Sequence, residues 1–130
     1  MTEQEIQNSI KKFIEINGGY CIRTNSGKIP AYNHKGARRF INLGEKGTPD
    51  LHACVKSVMI GIEVKKDSKE VQNFMRKVKK YCESGEIKES WKREIAQYLK
   101  GCEIIKAGGQ FMVVSSVNEV EAELRKLKLL

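Results

Sequence analysis

The stretch from Asp50 to Lys65 constrains this chain more than any other, because it reads as one β-hairpin with a countable register. Asp50-Leu51-His52-Ala53-Cys54-Val55 and Val58-Met59-Ile60-Gly61-Ile62-Glu63-Val64-Lys65 are apolar runs rich in β-branched residues, as strands should be. A turn at Lys56-Ser57 pairs Val55 with Val58, and counting outward sets Asp50 opposite Glu63. Directly opposed Cβ atoms lie roughly 4.5–5.5 Å apart, so both carboxylates can reach one cation. Strand side chains alternate. Glu63 and Lys65 therefore share a face, Val64 points the other way, and Gly61 leaves room beside Glu63 for a metal or a phosphate. Pro49 holds Thr48 extended and suits the first position of a strand. Lys-Ser is not the Asn-Gly pair that two-residue hairpins favour, and a longer loop shifts the register by one or two residues.

Two hard carboxylate oxygens suit a divalent cation such as Mg²⁺ or Mn²⁺, and a lysine point charge suits a phosphate or an attacking water. A Glu-x-Lys on a strand is often only a solvated pair. Here it lies in the most apolar stretch of the chain, where solvation is poorest, and Gly47-Thr48-Pro49-Asp50 precedes it.

The remaining pattern is that of one α/β domain over residues 1–130. Thr2 to Ile14 carries a core stripe of Ile6, Ile10, Phe13 and Ile14 and stops near Gly18-Gly19. Tyr20–Thr24 reads as a strand. Residues 25–47 hold Gly27, Pro30, Gly36 and Gly44 and read as a long basic loop. Lys28, Lys35, Arg38, Arg39 and Lys46 are its candidate phosphate contacts, and Tyr32 and Phe40 are candidates for stacking on bases or for packing onto the body. Helical periodicity over about 67–84 gives an amphipathic helix that Gly85 ends, and Lys66 just before it with Lys69 and Arg76 on its basic face are further candidate DNA contacts. Ile87, Trp91, Ile95, Tyr98, Leu99 and Cys102 mark one side of a further helix. Phe111–Val114 is a buried strand, and Ser116-Val117-Asn118-Glu119 is a capping box. The expected order, α-β-β-β-α-α-β-α, suits a central mixed sheet flanked by helices.

Lys plus Arg number 24 against 16 acids, a net charge of +8, which favours a polyanionic partner. The four cysteines form no CxxC pair and neither histidine has zinc spacing, so free thiols in a reducing compartment are expected. No apolar run approaches the roughly 20 residues of a membrane span, and no signal peptide is legible. The expectation is a cytoplasmic protein with no membrane partner.

Gly47-Thr48-Pro49-Asp50-Leu51 followed by Ile62-Glu63-Val64-Lys65 resembles the PD-(D/E)XK nuclease superfamily. With Glu5-Ile6-Gln7 on the first helix, Gln97 on a later one and Gly108-Gly109-Gln110-Phe111-Met112-Val113-Val114 near the end, nearly the whole chain resembles the virus-type replication-repair nuclease (VRR-NUC) domain. The resemblance implies a restriction-endonuclease-like core with Asp50 and Glu63 as metal ligands. It adds the Val64 peptide carbonyl and Glu5 to the metal site, and makes Lys65 and Gln97 catalytic. It implies Mg²⁺- or Mn²⁺-dependent cleavage of branched DNA in a bacterial or phage-infected cell, near the nucleoid. Stand-alone members resemble Holliday-junction resolvases, whose two symmetric nicks imply a homodimer. Glu5 also fits the capping box begun by Thr2, with Glu3 as the alternative carboxylate. Gln97 lies on a basic helix and also fits a solvated position. A monomeric flap or restriction-like endonuclease and a non-catalytic nucleic-acid-binding module are the competing readings. The extra helix over about 67–84 fits DNA backbone contact, a cover for the core or a dimer interface.

Overall fold

The structure, a computed structural model, describes residues 1–24, 28–42 and 45–130, and at 28–31 and 39–42 the backbone alone. The chain runs through α1 (Glu3–Ile16), β1 (Tyr20–Arg23), β2 (Lys28–Tyr32), β3 (Arg38–Asn42), β4 (Leu51–Val55), β5 (Val58–Val64), α2 (Ser68–Ser84), a 3₁₀ turn (Glu89–Trp91), α3 (Lys92–Lys106), β6 (Gln110–Val114) and α4 (Val117–Lys126). β1, β4, β5 and β6 form a mixed sheet in that order, antiparallel except for the parallel β5–β6 pair. β2 and β3 form a separate antiparallel ribbon.

The β4–β5 register is the expected one, Val55 against Val58 and Leu51 against Ile62. The turn between them stays at two residues because Lys56 and Ser57 both take positive φ, 47° and 69°. That is the type I′ pattern, whose twist matches the flanking strands. L-residues with a Cβ adopt it at a cost of roughly 1–2 kcal/mol each, which the ladder and the core behind it must offset.

Alternation divides the sheet into two faces. Leu51, Ala53, Val55, Ile60, Ile62, Val64, Met112 and Val114 join Ile6, Ile10 and Ile14 of α1 and Val120 and Leu124 of α4 in the main core. α3 covers the other face, where Gly61 and Gly101 permit close approach. A Cβ at Gly61 would stand 2.7 Å from Ile104 and 3.0 Å from Pro49, and one at Gly101 would overlap the Phe111 ring. The space at Gly61 is thus filled by Pro49 and Ile104, which corrects the expectation that it admits a metal or phosphate.

The helix ends follow from their sequences. Thr2 Oγ1 accepts from Glu5 N–H at 3.1 Å and Asp67 Oδ1 from Glu70 N–H at 2.9 Å. Gly85, with φ 73°, closes α2 through its N–H to the Tyr81 carbonyl at 2.7 Å. At α4, Ser116 Oγ accepts from Glu119 N–H, while the Glu119 carboxylate reaches back to Ser115 N–H rather than Ser116. α2 buries only Phe74 fully, and Met75 is 49 % exposed. The far helix begins later than the apolar pattern suggests: Ile87 and Leu99 are exposed, and Trp91 ends the 3₁₀ turn before α3.

Residues 25–47 are the main departure from the sequence reading. Where a loop was expected, β2 and β3 pair over five residues each, from Lys28↔Asn42 to Tyr32↔Arg38. Their connection is an Asx turn: Asn33 Oδ1 accepts from the N–H groups of Lys35 and Ala37, both at 2.9 Å. Gly36 takes φ 80° there. Gly27 and Gly44 lie outside the described residues. The cysteines are free, and burial pushes the Cys21 thiol up to about 11. No helix among the described residues is long and apolar enough to cross a membrane.

Candidate active site

The site is assembled where β4 enters the sheet and β5 leaves it. Asp50, just before β4, accepts the Val64 N–H on Oδ2 at 2.8 Å, and its own carbonyl accepts from Thr24 N–H at 3.0 Å. Val64 is thereby fixed with its side chain in the core, 1 % exposed. Its neighbours Glu63 and Lys65 emerge on the α3 face. Glu63 is 2 % exposed, and Asp50, one residue beyond the Leu51–Ile62 pair, acts on its carboxyl through its charge. The predicted facing pair is present.

Gln97 of α3 joins this pair to the lysine. Its Nε2 donates to Glu63 Oε1 at 3.0 Å and its Oε1 accepts from Lys65 Nζ at 3.0 Å. Lys65 Nζ is 3.9 Å from Glu63 Oε1 and 5.2 Å from the Phe74 ring centroid. Gln97 is 5 % exposed, so it is a buried bridge and not a solvated side chain. Its position depends on Gly47. With φ 83°, Gly47 presses on the backbone of α3, and a Cβ there would overlap the Ala96 carbonyl and stand 3.0 Å from Gln97 N. The glycine of Gly-Thr-Pro-Asp thus sets how closely α3 approaches the carboxylates.

Burial first, and then the Asp50 charge, push the Glu63 carboxyl up to about 9, opposed by Lys65 and more weakly by Arg93. Glu63 Oε2 is buried with no hydrogen-bond partner. An orphaned buried oxygen costs about 1–3 kcal/mol, and a second carboxylate beside it adds repulsion. A divalent cation between Asp50 and Glu63 would relieve both penalties, so this all-oxygen donor pair fits Mg²⁺ or Mn²⁺. Among the described residues no group of three or more His, Cys, Asp or Glu is gathered to hold a metal. Two carboxylates are a sufficient protein contribution for Mg²⁺, which keeps waters and takes substrate phosphate oxygens.

Beyond Lys65 lies an open cleft of about 320 Å³, lined by Glu3, Lys65, Glu70, Asn73, Phe74, Lys77, Arg93 and Glu94. The α1 residue at this cleft is Glu3; Glu5 is exposed and its N–H is tied to the Thr2 cap. Lys77 pairs with Glu94 at 3.0 Å. Arg93 is exposed and ion-pairs with no described residue. It stands one helical turn before Gln97, which puts both on one side of α3. The sequence reading passed over Arg93, and its i, i+4 spacing to Gln97 was the available signal.

The candidate DNA contacts are dispersed. Lys35 and Lys46 are exposed beside turns, Arg38 is exposed on β3, and the side chains of Lys28, Arg39 and Phe40 lie outside the described residues. Lys66 pairs with Glu70 at 3.6 Å. Lys69 is exposed, and Arg76 lies 5.8 Å from the Trp91 ring centroid.

No protein-family model matches this chain, and no curated protein matches it.

Proposed function

We propose that the chain is a divalent-cation-dependent nuclease whose reaction centre is Asp50, Glu63, Lys65 and Gln97. The observation that carries this reading is the buried, unpartnered Oε2 of Glu63 beside Asp50, with Lys65 held next to it by Gln97. Under this reading the four-stranded sheet is the core of a PD-(D/E)XK nuclease of the VRR-NUC kind.

Asp50 and Glu63, with the Val64 carbonyl, are the groups that would hold Mg²⁺ or Mn²⁺. Such an ion polarises a phosphate and lowers the pKa of water. The Lys65 ammonium donates to a phosphate oxygen or to the attacking water and offsets the charge that builds up on phosphate. Gln97 keeps Lys65 and Glu63 in fixed relation, so little reorganisation accompanies the reaction. The Arg93 guanidinium, at the cleft wall, presents a fork that matches two phosphate oxygens. A water oxygen bonds to phosphorus, one ester bond breaks, and a phosphomonoester and a hydroxyl result.

The substrate in this proposal is branched DNA, a four-way junction cut by a homodimer in two symmetric nicks. The test is a cleavage gel on four-way junction, flap and linear duplex with Mn²⁺ or EDTA. Paired nicks in the junction are expected with Mn²⁺ alone, and Asp50→Ala and Lys65→Ala should bind DNA but not cut it. Selective flap cutting would replace the junction substrate with the flap. Normal cutting by either variant would remove the assignment.

A further inference from the structure

The single tryptophan of the chain lies at the junction of the two helices that flank the cleft, and three cations converge on it. Lys88 Nζ is 4.6 Å from the Trp91 ring centroid, Arg76 Cζ 5.8 Å and Lys80 Nζ 5.9 Å. No two of these charges are therefore more than about 12 Å apart, within about one and a half Debye lengths of roughly 8 Å in physiological salt. None of the three ion-pairs with a described residue. Glu83 and Glu86 line the same hollow, yet neither forms an ion pair there. All three cations are themselves exposed, and a solvated cation over a ring gains only about 0.5–1 kcal/mol, which leaves most of each charge available to an anion.

We propose that Arg76, Lys80 and Lys88, gathered round Trp91, form a second phosphate site that holds the nucleic-acid strand away from the reacting phosphate. It rests on the nuclease reading above and names where that substrate continues. The direction follows from α2. Phe74, whose ring carries the Lys65 ammonium, and Lys80 are six residues apart on this helix, about 9 Å at 1.5 Å per residue. At about 3.4 Å of axial rise per nucleotide, that is two to three nucleotides from the reaction centre. The contact is to backbone and not to bases, because Trp91 is only 8 % exposed and has no free face to stack on. Trp91 is a positioning residue: its ring holds three long cationic side chains on one side of the helix pair.

The site carries its own reporter, since Trp91 is the only tryptophan. With the 130-residue chain in EDTA, titration with a four-way junction should change Trp91 emission saturably as phosphates draw the cations from the ring. Lys80→Glu with Lys88→Glu should abolish that response and weaken binding at least tenfold near 0.1 M salt. The slope of log affinity against log salt should fall by about 1–2, at roughly 0.9 per phosphate contact. Lys12→Glu with Lys126→Glu makes the same change in net charge on the opposite side of the sheet and should leave the slope and the emission response intact. A silent Trp91 at saturation, or an unchanged slope in the Lys80/Lys88 variant, overturns the site. Wild-type cleavage in Mn²⁺, run alongside, separates the two proposals. Cleavage with a silent Trp91 removes this site alone, whereas a Trp91 response without cleavage removes the nuclease reading and leaves a plain nucleic-acid site.

Discussion

Glu63→Gln should stabilise the metal-free protein, and by more as the pH rises. The carboxyl of Glu63 is pushed from its ordinary 4.5 up to about 9, by burial first and by Asp50 second. The folded state therefore keeps a proton that the unfolded state releases. Stability from this group is fully present below about pH 4.5 and is lost progressively as pH rises toward 9. The slope is about 1.4 kcal/mol per pH unit, so at pH 8 the loss reaches as much as about 5 kcal/mol. Glutamine has no proton to lose, and its amide oxygen can still accept from Gln97 Nε2, as Glu63 Oε1 does at 3.0 Å. For 130 residues, at about 2.1 cal/mol/K per residue, 1 kcal/mol corresponds to about 4 °C in Tm. Thermal melts in EDTA should show the variant about 10 °C or more above wild type at pH 8, and within a few degrees at pH 5. Adding Mg²⁺ at pH 8 should raise wild type and not the variant, which narrows the gap. A variant less stable than wild type at pH 8, or a gap equal at both pH values, would refute the reasoning.

Four further variants test other parts of the structure. Gln97→Leu leaves Lys65 and Glu63 Oε1 without their shared partner, so cleavage should fall about 10- to 100-fold with DNA affinity kept; steady-state kinetics beside a binding curve checks this. Gly47→Ala meets both a positive φ and the Ala96 carbonyl and should cost about 2–3 kcal/mol in urea unfolding along with much of the activity. Gly36→Ala, with similar φ but open space around it, should cost only about 1 kcal/mol. Lys56→Asn with Ser57→Gly suits the type I′ turn and should raise Tm by about 4–8 °C; an unchanged melt would mean the turn is not strained.

The legible parts of the molecule are those where a side chain's neighbours are set by chain periodicity. The facing of Asp50 and Glu63 follows from alternation on two strands and one turn, and the core stripe of α1 from 3.6-residue spacing. Gln97 was legible only as a position in a resemblance, because its burial depends on Gly47 letting α3 approach. The β2–β3 ribbon escaped the reading for a different reason. It belongs to no larger sheet, so nothing forces alternation, and Pro30 and Gly36 point to turns. Glu3 and Glu5 lie within the first turn of α1, where the cap at Thr2 and the cleft compete for the same residues. Arg93 was hidden among many exposed cations, and its i, i+4 spacing to Gln97 carried meaning only once Gln97 was known to be buried.

From β5 to β6 the chain passes along α2, through an exposed stretch at Gly85–Lys88, and then along α3. A break there would leave Asp50, Glu63 and Lys65 on the piece ending at Gly85, and Gln97 with β6 on the other. Exposed turns of this kind tolerate nicking. Neither piece would then hold all four of Asp50, Glu63, Lys65 and Gln97, and the first would also lack β6. Under the proposed nuclease function, the two separated pieces should each be inactive and should cut DNA only when mixed, at a rate set by how often the halves find one another.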